Sequence, residues 1–330
     1  MERMQALVCS RLGDALAGVA LAEVAAPLPG PGEVAVAVRA AALNFPDLLM
    51  TRGGYQHRPQ LPYVVGMEGA GTVAELGAGV TGLSVGDAVC FARKEGALAQ
   101  RAVVPAGELR AVPPGYDWGE AAAFHVCAST AWVSLIPRGQ LQRGETLLVH
   151  GASGGTGAAA VQLGRHLGAR VIATGTSMPK LEPVRALGAD HLLTTGGGFR
   201  EQVKALTDGR GADVIFDPVG GDVFDESVRC IAWEGRLLVV GFASGRIPTI
   251  AANLPLIKSF SVIGVRAGEY LRRHPDRAPA AYADIARLAA EGVFRPLIGA
   301  RFPLSGALDA LRALADRAVP GKIVVEVGGG

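Results

Sequence analysis

Thr146-Leu147-Leu148-Val149-His150-Gly151-Ala152-Ser153-Gly154-Gly155-Thr156-Gly157 decides how this chain is read. An apolar run of strand length, Thr146 to His150, enters a glycine turn and then a helix-length segment, Gly155 to Leu167. Glycines let a backbone turn tightly and approach a pyrophosphate, and a helix start offers unpaired N–H groups and the positive end of its dipole. A glycine triplet alone says little, but between a strand and a helix it reads as a phosphate-binding turn. A second strand, Arg170 to Thr174, arrives about 20 residues later, where the adenosine ribose of a dinucleotide sits. At its end a site for NAD would carry Asp or Glu to hold the ribose 2′-hydroxyl. This chain has Thr174-Gly175-Thr176-Ser177-Met178-Pro179-Lys180 instead. No acid there repels a 2′-phosphate, Thr176 and Ser177 bring hydroxyls, and Lys180 brings a cation in a chain with five lysines against 27 arginines. NADPH is therefore the expected cofactor.

Downstream, strands are expected at Asp213 to Phe216, Arg236 to Gly241 and Ser261 to Val265, alternating with helices at Pro179 to Leu187, Phe199 to Leu206 and Val223 to Cys230. That alternation is the pattern of βαβ units around a parallel sheet, and apolar runs of this kind suit strands covered on both faces. Upstream the texture is all β. Glu33 to Val38 follows the turn Pro29-Gly30-Pro31-Gly32, strand-like pieces run from Gly71 to Ala74 and Asp87 to Phe91, and glycines punctuate the rest. A barrel-like domain over residues 1–122 is expected, then a dinucleotide-binding domain over 123–262, then a return to the first domain over 263–330. That last part carries a helix at Ala280 to Glu291 and a final strand at Lys322 to Val327.

Composition narrows the function classes. A chain of 330 residues exceeds what one core supports, and 32 basic against 30 acidic residues, a net charge of +2, make no field suited to nucleic acid. At 49% hydrophobic and 19% charged, the chain lies far from disordered compositions. The longest uncharged runs, such as Thr146 to Gly164, are crowded with Gly, Ser and Thr, so no membrane span is expected. Arg11 and Asp14 come before an apolar secretory segment develops, which makes a cytoplasmic location the expectation. Cys9, Cys90, Cys127 and Cys230 are far apart and form neither a disulfide framework nor a zinc ribbon.

Several separated motifs then agree: Gly30-Pro31-Gly32-Glu33-Val34, Leu43-Asn44-Phe45-Pro46-Asp47, Gly54-Tyr55, Leu61-Pro62 followed by Gly66-Met67-Glu68-Gly69-Ala70-Gly71, Gly86-Asp87-Ala88-Val89, the glycine turn, Val240-Gly241-Phe242 and Gly321-Lys322-Ile323-Val324. In this order, and over essentially its full length, the chain resembles the zinc-independent quinone oxidoreductases of the medium-chain dehydrogenase/reductase superfamily. The resemblance implies an α/β plus β architecture: a Rossmann domain with a doubly wound parallel sheet, and a GroES-like β-barrel domain built from both chain ends, with the active site in the cleft. It also implies a homodimer formed by edge-strand pairing, here through Ser261 to Val265. Cofactor contacts carried over from the family are Thr130, then Ala152, Gly154, Gly155 and Thr156 at the pyrophosphate. Gly241, Phe242, Ala243 and Ser244 follow near the nicotinamide ribose, then Val265 and Arg266, and Arg317. One departure is Thr194-Thr195, where some relatives place a Tyr near the adenosine phosphate.

The zinc branch of that superfamily places Cys where this chain has Asn44 and a His-Glu pair where it has Met67-Glu68. No metal is expected, and Glu68 reads as a structural acid. Without a Lewis acid, the substrate must itself be electrophilic, as a quinone or an α,β-unsaturated carbonyl is. Asn44 and Tyr55 are the expected donors to the developing oxyanion or enolate, Asp47 orients the pair, and Tyr55 can also donate a proton. Two other readings stay open: an NADPH-binding sensor or structural protein with little turnover, and an enoyl-thioester reductase. His57 and Cys127 are further residues near the expected site. The other histidines read as structural or solvated.

Overall fold

Thr146, Leu147, Leu148 and Val149 are all buried, as are Val171 to Gly175 in the next strand, because both strands lie inside a parallel sheet. The computed structural model describes residues 2–328. These residues fall into two units, Met1–Val126 with Pro296–Gly330, and Cys127–Arg295.

In the second unit six strands lie in the order His191–Thr194, Arg170–Gly175, Thr146–Val149, Ala212–Asp217, Ile231–Val239, Ser261–Gly264, every pair parallel. Numbered along the chain, the spatial order is 3-2-1-4-5-6, that of dinucleotide-binding sheets. Helices Gly155–His166, Met178–Ala186, Phe199–Leu206 and Gly221–Cys230 make the crossovers. The strand order reverses between Thr146–Val149 and Ala212–Asp217, and the crevice at such a reversal is where ligands bind in open α/β sheets. Five of the six strands and these four helices stand where the sequence places them. The sixth, His191–Thr194, is a four-residue edge strand that is mostly half-exposed, so it carries no continuous apolar run to read.

In the first unit, strand Glu33–Ala42 pairs antiparallel with Glu68–Leu76, Arg101–Pro105 and Lys322–Glu326 within a seven-stranded sheet. A smaller sheet joins Val19–Ala25, Arg3–Cys9 and Tyr63–Val64. The register of the larger sheet sets the surroundings of Asn44. Ala42 lies opposite both Glu68 and Val324, and Leu43 N donates to Ile323 O at 2.9 Å. Continuing that antiparallel register brings Lys322 opposite Asn44. Asn44 itself ends the strand extension and starts helix Phe45–Thr51.

Residues 263–295, expected with the first domain, belong to the second unit. Trp132 Nε1 donates to Asp284 Oδ2 at 2.7 Å and Gln162 Nε2 to Arg295 O at 2.8 Å, so helix Ala278–Ala290 and the chain after it are tied to the Rossmann helices. The boundary at Val126/Cys127 falls inside helix Trp118–Val133, which was not read from sequence. Its stretch Glu120 to Val133 is rich in alanine and has no polar face to set a period.

Candidate active site

Strand Thr146–Val149 delivers the chain into the glycine turn. Gly151 takes a φ of 57°, Gly154 N donates to Gly151 O at 2.9 Å, and Ala152 N donates to Thr174 O at 3.0 Å. Gly154 caps helix Gly155–His166 without a side-chain hydrogen bond, so the first helical amides keep the free N–H groups that an anion needs. Gly157 is required for a different reason. A Cβ there would stand 2.3 Å from Gly151 O and 2.7 Å from Ala152 Cα, so only glycine lets the helix pack this closely on the turn.

Beneath the turn, His150 is fully buried between strand and helix. Its Nδ1 lies 2.7 Å from Thr174 Oγ1 and its Nε2 2.7 Å from Ser227 Oγ. Ser227 Oγ donates to Val223 O at 2.7 Å, so it accepts the Nε2 proton, and Nδ1 accepts from Thr174. Burial pushes the imidazole down to about 3, which keeps it neutral under the phosphate turn.

The segment expected to hold the 2′-phosphate follows strand Arg170–Gly175. Thr176 is exposed, Ser177 caps helix Met178–Ala186, and Lys180 lies in its first turn, half-buried. Thr195 N donates to Gly175 O at 2.9 Å, so Thr194-Thr195 runs beside the same strand end. Gly241 to Ser244 fold back on the turn after Ala212–Asp217: Ala243 N donates to Pro218 O at 3.0 Å and Ser244 N to Val219 O at 2.9 Å. Asp217 holds that turn by accepting from Val219 N and Gly220 N, while burial raises its carboxyl to about 6. Sequence reading missed Asp217. Val265 N donates to Val239 O at 2.8 Å, Arg266 precedes helix Ala267–Arg273, and Thr130 sits on helix Trp118–Val133. These residues all belong to the second unit. Arg317, at a left-handed φ of 51° after helix Ala307–Ala315, belongs to the first, with Asn44, Asp47 and Tyr55.

In the first unit a buried polar cluster forms at Asn44. Asn44 is 7% exposed, Lys322 4%, and Asp47 and Glu68 0%. Lys322 Nζ donates to Leu43 O, Asn44 Oδ1 and Glu68 Oε1, each at 2.7 Å. Asn44 Nδ2 donates to Glu68 Oε1 at 2.9 Å and, at 3.4 Å, to Ala42 O. Glu68 Oε2 accepts from Val126 N at 3.0 Å. The Lys322 ammonium thus contacts both Asn44 and Glu68. Among the described residues no group of three or more His, Cys, Asp or Glu is arranged to hold a metal ion.

Asp47 Oδ2 accepts from Asn44 N at 2.8 Å, whereas its Oδ1 is buried without a hydrogen-bond partner. Burial raises this carboxyl to about 7, opposed by the Asn44 amide and the nearby Lys322 charge. Tyr55 lies half-buried against the core of the same unit, and His57 Nε2 pairs with Glu95 Oε2 at 3.2 Å. Cys127 is buried. The structure joins Asn44 and Asp47 through the Asn44 backbone amide, and adds Lys322, which the sequence shows as part of a motif, and Glu68, which reads from sequence as a structural acid. The 3.4 Å contact to Ala42 is at the long limit for a hydrogen bond, so one Asn44 Nδ2 proton is loosely held.

The chain matches the family model for the alcohol dehydrogenase GroES-like domain over residues 30–138 and that for zinc-binding dehydrogenase over 155–287. It is 36% identical over 325 residues to a quinone oxidoreductase-like protein 2 homolog of Nematostella vectensis, covering 97% of this chain and 88% of that protein. Among solved structures, a quinone oxidoreductase from Thermus thermophilus, also solved as a complex with NADPH, superposes with a TM-score of 0.85 at 34% identity, covering 98% of this chain and all of that one. A segment of a mycoketide-CoA synthase from Mycobacterium tuberculosis is 37% identical over 306 residues, 91% of this chain and 7% of the synthase.

Proposed function

We propose that this chain, which belongs to the quinone oxidoreductase-like family of the medium-chain dehydrogenase/reductase superfamily, is an NADPH-dependent oxidoreductase that reduces quinones or α,β-unsaturated carbonyls without a metal ion. The observation that carries the cofactor is the turn at Gly151 to Gly157, at the strand-order reversal, where a strand runs through a glycine turn into a helix start whose first amides are free to meet an anion. NADPH, when bound, supplies the hydride. Ala152, Gly154, Gly155 and Thr156 hold its pyrophosphate. The acid-free segment Thr176, Ser177 and Lys180 takes the 2′-phosphate, and Gly241 to Ser244, Val265, Arg266, Thr130 and Arg317 complete the cofactor's contacts. Asn44 and Tyr55 steady the substrate oxygen as it gains charge, with Asp47 fixing the Asn44 backbone. The Lys322 ammonium, hydrogen-bonded to Asn44 and Glu68, supports a metal-free reaction, since it and a metal ion would compete for the same oxygens.

The test is oxidation of NADPH by metal-stripped protein with a series of benzoquinones, naphthoquinones and an enone, with NADH alongside. Turnover that prefers NADPH and ignores chelators is expected. Loss of turnover on chelation, restored by zinc, would overturn the metal-free reading.

A second reading is favoured by the match to a segment of mycoketide-CoA synthase: the acceptor is an α,β-unsaturated thioester. A kcat/KM for an enoyl-CoA above that of every quinone would select it.

We also place the protein as a cytoplasmic homodimer. Its four cysteines are all buried and form no disulfide among the described residues, as suits a reducing compartment. Strand Ser261–Gly264 is an edge of the six-stranded sheet, with Val262 exposed and Leu256 and Ile257 exposed in the helix before it.

A further inference from the structure

We infer that Lys322 and Glu68 act together as a polarity clamp that fixes which end of the Asn44 amide faces which way, making Lys322 a positioning residue for the reaction. The inference rests on the proposal that Asn44 meets the substrate oxygen. A primary amide has an acceptor end and a donor end of nearly equal shape, so packing alone does not decide between two orientations related by a half-turn. Here the two neighbours are opposite in kind. An ammonium offers only donors and a carboxylate only acceptors. Lys322 Nζ stands 2.7 Å from Asn44 Oδ1, and Glu68 Oε1 accepts from Asn44 Nδ2 at 2.9 Å. The half-turned amide would set N–H against ammonium and carbonyl against carboxylate, losing both hydrogen bonds at a buried site.

The clamp is itself held. Lys322 also donates to Leu43 O, and Glu68 Oε2 accepts from Val126 N, so neither partner can swing to follow a turned amide. Both charges are buried against each other at 2.7 Å. One Asn44 Nδ2 proton is consequently tied to Glu68, and the other, which reaches Ala42 O only at 3.4 Å, is the one presented for a substrate oxygen. With the amide turned, no donor remains at that place.

The sequence makes the test clean, because the chain contains only two asparagines, Asn44 and Asn253. Asn253 is exposed and Asn44 buried. Protein labelled with 15N-asparagine therefore shows two side-chain NH2 pairs, and the Asn44 pair is the one that slow solvent exchange marks and that Asn44→Ala removes. Lys322→Met removes the ammonium but leaves Glu68 buried and unpaired, so the double variant Lys322→Met/Glu68→Gln is made beside it to keep the site neutral. In whichever variant folds, the Asn44 pair should lose exchange protection and shift toward the Asn253 pair. The kcat should fall about ten- to a hundredfold with acceptor KM within about twofold, and adding Asn44→Ala should bring little further loss. An Asn44 pair unchanged from wild type overturns the clamp, and so does an altered pair with unchanged kcat, or kcat losses that simply multiply with Asn44→Ala. Wild-type protein that turns over no acceptor would instead overturn the proposed function, while the NMR comparison still decides whether Lys322 orients the amide.

Discussion

A buried titratable side chain states its protonation through its neighbours, and His150 and Asp47 do so in opposite directions. His150 is neutral in the native state, with its pKa lowered to about 3 by burial, whereas in the unfolded chain it titrates near 6.5. Its stabilising contribution is present above pH 6.5 and is lost as pH falls toward 3, at up to about 1.4 kcal/mol per pH unit. His150→Asn should lower stability at pH 7.5 yet lose less than wild type on acidification to pH 4.5, as measured by urea unfolding at each pH. Asp47 has the reverse sign. Its carboxyl, raised from 3.8 to about 7, holds its proton in the native state at pH values where the unfolded chain has lost it. Its contribution is therefore full below about pH 4 and is lost as pH rises through 7. Asp47→Asn should flatten that loss between pH 5 and 8, and should be at least as stable as wild type at pH 8; a variant with the wild-type pH slope would show that Asp47 is ionised throughout. Asn44 was legible as a candidate site residue from its motif, but its partner Lys322 was not, because the two stand 278 residues apart in the chain.

At the scale of the element, the glycine turn is where local sequence and function coincide. Strand, turn and helix succeed one another in the chain, and Gly157 is fixed by contact with the backbone of Gly151 and Ala152. Gly157→Ala should cost about 1–3 kcal/mol and weaken NADPH binding, because backbone atoms must shift to admit the methyl group. Thermal unfolding and a fluorescence titration with NADPH check the two effects. The edge strand Ser261–Gly264 pairs on only one side within the sheet. If the proposed homodimer forms through this edge, Val262→Asp should leave a monomer on size-exclusion chromatography with light scattering, and a wild-type monomer at micromolar concentration would overturn that proposal. Both elements were read from sequence at nearly their observed limits, since continuous apolar runs bounded by glycine need no tertiary information. Helix Trp118–Val133 and strand His191–Thr194 were not, because one has no polar face and the other is mostly half-exposed.

For the molecule as a whole, binding to the native state alone raises stability by mass action, by about 2.7 kcal/mol at a ligand concentration a hundredfold above Kd. NADPH should therefore raise the melting temperature more than NADH at equal concentration, and an equal shift would remove the 2′-phosphate assignment to Thr176, Ser177 and Lys180. The two kinds of domain and the strand, glycine turn and helix at Thr146 to Leu167 were legible in the chain itself, because motifs of a few neighbouring residues record local backbone requirements, and the candidate residues Asn44, Asp47 and Tyr55 came from motifs shared with the resembled family. Only the tertiary structure assigned residues 263–295 to the second unit, through bonds such as Trp132 to Asp284 between elements far apart in the chain. It alone also brought Lys322 to Asn44 and Glu68. That meeting depends on the register of strand Lys322–Glu326 against strand Glu33–Ala42, and register is set by pairing across the whole sheet rather than by any stretch of sequence.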